Sequence, residues 1–264
     1  MENLKVVNKG SAKAKTLHAD TVVTIVIDGS GSMNSITDAT LEGYNAFINK
    51  QREEDGDVLV SLVIFDSTWA RDKNGHTIYG EQETRLRRPY TALELDDVPE
   101  LTRDVYKADG GTPLRDAIGK SIGFTDDILQ RIPSDENPDA LMVIITDGGE
   151  NTSQDYGAGL IKEMIAAREE AGWTFIYMGA NQDSWSETQN LGFKQGNVMN
   201  YAAHDIKEGA FAKVAASTVA YRGLSNSAKA DGLVGSYATT SFFSDAGVTE
   251  DAPVESSTDA KTDA

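Results

Sequence analysis

The chain has 264 residues, with 24 Lys plus Arg against 42 Asp plus Glu for a formal charge of −18, and it contains no cysteine. So acidic a protein is repelled by phosphate backbones and anionic bilayers, because only about 8–10 Å of salt screening would separate the like charges, so nucleic acid and membrane surfaces are poor choices of partner. Without cysteine there is no disulfide framework, thiolate zinc site or iron–sulfur cluster, and His18, His76 and His204 lie far apart, so any metal must take oxygen ligands.

The stretch from Met1 to Lys15 has no apolar run of the roughly 7–15 residues that a secretory signal needs. The apolar stretches Val22 to Ile27 and Leu141 to Ile145 fall well short of the about 20 residues that cross a bilayer. The expectation is a cytoplasmic chain, which could also be carried in a virion. Residues 1–19 are polar and aperiodic and read as a flexible arm.

Thr21-Val-Val-Thr-Ile-Val-Ile27 is an uninterrupted β-branched run, as suits a strand buried on both faces, and it stops at Asp28-Gly-Ser-Gly-Ser32. Leu41, Tyr44, Phe47 and Ile48 then recur at helical spacing between Asp38 and Glu54, with Asp38 placed as the cap. Val58 to Phe65 is a second strand. The chain from Ser67 to Tyr90 is polar, with Thr77-Ile-Tyr79 suited to a short edge strand. Pro113 opens a helix that runs to about Ile132, and Ala140 to Thr146 is a third buried strand, again followed by an aspartate, Asp147.

Further along come a helix from about Tyr156 to Ala171 stopped by Gly172, a strand from Trp173 to Met178 and a short helix near Ser184 to Asn190. A strand at Val198 to Tyr201 and an Ala-rich helix from about Ile206 to Arg222 complete the series. Strands alternating with helices predict an α/β fold: a doubly wound, mainly parallel central sheet in a three-layer, Rossmann-like sandwich over residues 20–223. Residues 224–264 turn polar and acidic, and the last twenty carry six Asp or Glu against Lys261, so the segment reads as a disordered tail. Solubility is its plainest role, and a carboxylate such as Asp251 or Glu255 reaching a metal or a neighbouring copy is the sharper one.

Ligands of open α/β sheets bind at the carboxyl ends of the strands, and two core strands deliver Asp28 and Asp147 to that edge. Ser30 and Ser32 follow the first, with Gly29 and Gly31 expected to let the backbone turn. Gly110-Gly-Thr-Pro sets Thr112 just before a helix. Two carboxylates and three hydroxyls are hard oxygen donors of the kind Mg²⁺ or Mn²⁺ prefers.

Asp28-Gly-Ser-Gly-Ser32 resembles the Asp-x-Ser-x-Ser signature of von Willebrand factor type A (vWA) domains, followed by the family's threonine as Thr112 and its second aspartate as Asp147 in Thr-Asp-Gly-Gly-Glu-Asn. The resemblance spans about Thr21 to Arg222 and fills all five positions of the metal-ion-dependent adhesion site. It implies that Ser30, Ser32 and Thr112 bind Mg²⁺ through their hydroxyls, and that Asp28 and Asp147 bind it directly or through water, with Mn²⁺ or Ca²⁺ as substitutes. It also implies a non-enzymatic module that takes an Asp or Glu from a protein partner. Two other roles stay open, an assembly component that contacts further copies of itself, and a non-ATPase subunit of a remodelling or metal-dependent enzyme complex.

A dinucleotide site is disfavoured, because position 34 is Asn where the third glycine would stand and Asp28 would repel a pyrophosphate. A serine hydrolase lacks both Gly-x-Ser-x-Gly and a histidine in matching context. Trp69, Glu150 and Asn151 are candidates to border the metal face, while Trp173 and Trp185 read as packing residues, and Asn151-Thr-Ser fits a glycosylation sequon by chance.

Overall fold

The computed structural model describes residues 15–180, 188–202, 205–230 and 242–245. The predicted short helix near 184–190 falls largely outside them, with residues 188–191 helical, and so do His204, Trp185 and the acidic stretch beyond Asp245. In chain order the strands are β1 (Thr21–Asp28), β2 (Val58–Arg71), β3 (Thr77–Glu94), β4 (Asp139–Thr146), β5 (Thr174–Ala180) and β6 (Val198–Tyr201). The α-helices are α1 (Thr37–Gln51), α2 (Leu114–Leu129), α3 (Ala158–Glu170), α4 (Ala212–Ala230) and α5 (Phe242–Asp245).

The six strands form one sheet in the order β3-β2-β1-β4-β5-β6, parallel except for the antiparallel edge strand β3. All residues of β1, β4 and β5 are buried, which explains their unbroken apolar runs. Alternation divides them between two layers. Val23, Ile25, Ile27, Val143 and Ile145 meet Tyr44 and Phe47 of α1 and Val214 of α4 on one face. Val26, Met142 and Ile144 meet Leu114 and Ile118 of α2 and Ile161 and Ile165 of α3 on the other. Strand order reverses at β1, so the crevice of the doubly wound sheet opens between the ends of β1 and β4.

Four details differ from the sequence reading. The polar stretch after β2 is no loop with a short edge strand but a long hairpin, paired from Leu59 with Glu94 out to Arg71 with Thr77. β1 ends opposite Phe65, so Asp66 to Arg71 carry the hairpin up to about 20 Å past the sheet. From Thr68 onward its β2 side chains are half-buried or exposed, so they show no apolar run. Asp38 is not a cap, since a 3₁₀ turn, Gly31–Ile36, leads into α1 and Asp38 pairs with Arg103 at 2.5 Å.

The arm expected at 1–19 docks at its end, where Leu17 and Ala19 pack on Ile128 and Ile132. Of the segment expected as a tail from 224, residues 224–230 continue α4. α4 runs to Ala230, with Arg222 buried in its interior and donating to the carbonyls of Gln51, the last residue of α1, at 2.7 Å and of Glu54 just beyond it at 2.9 Å. Phe242 and Phe243 of α5 are buried, with the Phe242 ring 6.0 Å from that of Tyr221. Among the described residues, no helix is long and apolar enough to cross a membrane.

Candidate functional site

Asp28 ends β1 wholly buried, and its carboxylate organises the turn that follows. Oδ1 accepts the Ser30 N–H at 2.7 Å, and Oδ2 accepts the Thr146 hydroxyl at 2.6 Å across the β1–β4 crevice. Ser30 and Ser32 present their hydroxyls 3.1 Å apart, and Ser32 Oγ donates to Asp147 Oδ1 at 2.7 Å. Thr112 arrives from the loop before α2. Its Oγ1 and Ser32 Oγ each lie 3.7 Å from where a Cβ on Gly148 would stand. The five sequence-predicted residues therefore share one edge, with Asp28, Ser30 and Thr112 buried as a floor, Asp147 half-buried and Ser32 exposed at the mouth.

Gly29 acts by space rather than by turn conformation. Gly29 and Gly31 do not take positive φ, but a Cβ on Gly29 would come within 2.9 Å of Arg87 Nη2 and Ile64 Cγ2. Positive φ occurs instead at Gly110, at 75°, where a Cβ would overlap the Ser67 carbonyl. The 105–112 loop is stitched to the first loop: Gly31 N–H donates to the Gly110 carbonyl at 3.0 Å, Asp109 N–H to the Gly29 carbonyl at 2.7 Å, and the Tyr106 hydroxyl to the Asp28 carbonyl at 2.6 Å. Burial pushes the Tyr106 phenol well above its ordinary value, so it stays a donor.

Burial raises the Asp28 carboxyl to about 6, against hydrogen bonds from Thr146 and Ser30 that lower it, and the Asp147 charge adds to the rise. Burial raises Asp147 as well, against the Ser32 hydrogen bond. A third aspartate, inside β2 and just past the level where β1 ends, has basic partners. Asp66, buried after the apolar run of β2, is paired with Arg85 at 2.5 Å and Arg87 at 2.9 Å. Among the described residues neither Asp28 nor Asp147 has an ion-pair partner. Two carboxylates lacking a counter-cation beside three hydroxyls fit a hard divalent ion, with charge to neutralise and oxygen donors only. No three His, Cys, Asp or Glu side chains cluster among the described residues, as expected where hydroxyls make up most of the set.

Asp66 carries in the sequence the same signal as Asp28 and Asp147, a place directly after an apolar run. Tyr106 and Arg87 carried no such signal, since the loop and hairpin around them have no period. Glu150, expected to border the face, turns inward, while Asn151 is exposed and lies against Thr112. Glu150 accepts the N–H groups of Thr152, Ser153 and Arg115, and Asn151 binds the backbone of Thr112. His18 and His76 are exposed beside Glu136 and Asp72, away from the crevice.

The sequence matches no protein-family model, and no curated protein matches it. Among solved structures, the pilus adhesin SpaC from Lactobacillus rhamnosus GG in its open conformation is similar in fold, with TM-score 0.53 and 11% identity over 78% of this chain and 31% of that one. The likeness is one of fold. Proximal thread matrix protein 1 from the mussel byssus has TM-score 0.47 and 12% identity over 75% of this chain and 46% of its own. A von Willebrand factor type A structure from Catenulispora acidiphila has TM-score 0.46 and 15% identity over 76% and 43%. The chain thus spans less than half the length of each.

Proposed function

We propose that this chain is a non-catalytic, protein-binding module of the vWA kind. It takes a divalent cation, Mg²⁺ first and Mn²⁺ or Ca²⁺ as alternatives, at Asp28, Ser30, Ser32, Thr112 and Asp147, and recognises an Asp or Glu side chain of a protein partner. The observation that carries this reading is the contrast among three aspartates, Asp28 and Asp147 at the ends of β1 and β4, and Asp66 beside them within β2. Asp66 is paired with two arginines, whereas among the described residues Asp28 and Asp147, beside the hydroxyls, have no basic partner. The signature Asp28-Gly-Ser-Gly-Ser32 with Thr112 and Asp147 in matching order supports it further.

When bound, the cation would supply the attraction for an anionic oxygen. The protein's own residues would do the rest. Ser30, Ser32 and Thr112 offer neutral oxygens, which quench less of the ion's charge than carboxylates do. Asp28 holds the Ser30 amide and so aims the first loop, while the exposed Ser32 and half-buried Asp147 leave the mouth open to an incoming side chain.

Titration calorimetry with MgCl₂ and MnCl₂ tests the metal, and water-proton relaxation of the Mn²⁺ form with added acetate tests the open position. The expected results are binding by the wild type, at least about tenfold weaker binding in Asp28→Ala and Thr112→Ala, and relaxation that falls as acetate displaces water. Unchanged affinity in both variants overturns the reading.

A further inference from the structure

Two buried tyrosines reach the crevice from different parts of the chain. Tyr106, in the loop before α2, donates its hydroxyl to the Asp28 carbonyl at 2.6 Å, and Tyr201, the last residue of β6, donates its own to the Thr146 carbonyl at 3.0 Å. Tyr201 starts from the far edge of the sheet, two strands from β4, and its register partner on β5 is Ala180, a side chain short enough to let the ring pass. Burial pushes its phenol well above the ordinary value, so it too stays a donor. Tyr44 and Tyr90 are buried as well, yet among the described residues their hydroxyls meet no hydrogen-bond partner. The two bonds at the crevice are therefore not what burial alone gives a tyrosine in this fold.

The acceptors carry the consequence. Ile27 and Ile145 are the last residues paired between β1 and β4, so Asp28 and Thr146 stand one step beyond, where the strands part. The Asp28 carbonyl belongs to the peptide that leads into Gly29 and the two serines, and the Thr146 carbonyl to the peptide that leads into Asp147. A peptide group is planar, so holding its carbonyl sets the direction in which the next residue leaves. The Thr146 hydroxyl on Asp28 Oδ2 at 2.6 Å ties the two ends across the gap, and the phenols keep either peptide from turning. Loops anchored in this way hold the crevice at one width. Width separates cations: Mg²⁺ takes six ligands at about 2.0–2.1 Å in near-ideal octahedral geometry, whereas Ca²⁺ takes six to eight at about 2.3–2.6 Å and accepts irregular arrangements. We propose that Tyr106 and Tyr201 are positioning residues that set the metal selectivity of the crevice, favouring Mg²⁺ over Ca²⁺ because they deny it room to widen. This rests on the metal-dependent reading above.

Titration calorimetry with MgCl₂ and with CaCl₂ on the full chain, on Tyr106→Phe, on Tyr201→Phe and on the double variant tests it. Phenylalanine keeps the ring and removes only the hydroxyl. Tyr221→Phe is the control, a buried phenol near Asp139 and Thr174 at the opposite ends of β4 and β5. The wild type is expected to bind Mg²⁺ more tightly than Ca²⁺. Each single variant should lose about tenfold in Mg²⁺ affinity and the double variant more, while Ca²⁺ affinity changes by less than about threefold. The control should keep the wild-type affinity for both ions. Thermal melts in EDTA check that the variants fold, and the single variants carry the same comparison should the double variant not fold.

A general softening of the fold weakens both ions together, so the ratio of the two affinities is the deciding readout. An unchanged ratio in the Tyr106 and Tyr201 variants overturns the proposal, as does a wild type that prefers Ca²⁺ or a control that shifts the ratio as far as they do. A wild type that binds neither ion overturns the metal reading itself, and the proposal with it. A wild type that binds Mg²⁺ beside variants that keep its ratio leaves the metal reading standing while the proposal falls, so the two failures are told apart.

Discussion

Asn151 holds Thr112 at both of its backbone groups: the Thr112 N–H donates to Asn151 Oδ1 at 2.7 Å, and the Thr112 carbonyl accepts the Asn151 N–H at 3.1 Å. The loop after β4 thereby fixes the loop before α2, and two of the candidate ligand segments become one unit. Asn151→Ala leaves the N–H of a buried residue without its acceptor and is expected to cost about 1–3 kcal/mol in urea denaturation, with weaker Mn²⁺ binding. Asn151→Asp keeps the acceptor and should cost less. Equal losses in the two variants would show that the side-chain acceptor is not what positions Thr112.

The same loop is tied down a second time by Asp116, which is buried in α2. Its carboxylate accepts the N–H groups of Gln154 at 3.0 Å, Asp155 at 2.9 Å and Tyr156 at 2.9 Å, and the Thr84 hydroxyl at 2.5 Å. Burial alone raises its pKa, but the Thr84 bond and the three amides outweigh it and hold the group below the ordinary 3.8. A depressed folded value means that the unfolded chain takes up the proton first. The contribution is therefore complete above about pH 4 and is lost as pH falls through the folded value. Asp116→Asn should lose about 1–3 kcal/mol near pH 7, and its difference from the wild type should shrink by about pH 3. A difference that stays constant across that range would mean the ionised form is not what matters.

The layered core was legible because β1, β4 and β5 are buried on both faces and show it as continuous apolar runs, while α2 shows its buried stripe. The candidate site was legible because its residues sit at strand ends and around glycines, where local order along the chain predicts position in the sheet. The hairpin was not, since its outer residues are mostly half-buried or exposed and leave no face that must stay apolar. Nor was the extension of α4 past Arg222, whose guanidinium is satisfied by carbonyls at and just beyond the end of α1, a partnership formed only once the chain has folded. The reciprocal hold of Asn151 on Thr112 is equally tertiary, and the sequence could place Asn151 near the crevice but not say which way it turns.

Gly110 and Gly75 give a matched test of what the crevice demands of its backbone. Both have positive φ, 75° and 84°, but a Cβ at Gly75 meets nothing within 4 Å, whereas one at Gly110 would overlap the Ser67 carbonyl. Gly75→Ala should cost only the left-handed strain, about 1 kcal/mol. Gly110→Ala must also push the loop off β2, pulling Gly111 from Ser67 and the Gly110 carbonyl from Gly31, and is expected to cost about 3 kcal/mol or more and to weaken Mn²⁺ binding. Comparable thermal shifts for the two would argue that the loop gives way freely.

Asp28→Asn separates the two roles of the buried carboxylate. Asparagine can keep Oδ1 on the Ser30 amide and turn its NH₂ toward Thr146 Oγ1, whose own proton can swing to the Gly148 carbonyl at 3.0 Å. The fold is thus supported while the charge is gone. Because burial raises Asp28 to about 6, the native state holds the proton longer than the unfolded chain does, and the penalty of ionisation grows from about pH 4 to about pH 6 and is complete above. In EDTA near pH 7.5 the variant should therefore be more stable than the wild type, by about 1–3 kcal/mol, and the gain should vanish below about pH 4. Added MgCl₂ should raise the melting temperature of the wild type and leave the variant unmoved, reversing their order. A variant that melts below the wild type in EDTA would show that the carboxylate is satisfied by its hydrogen bonds alone, and the need for a cation at this crevice would lose its electrostatic basis.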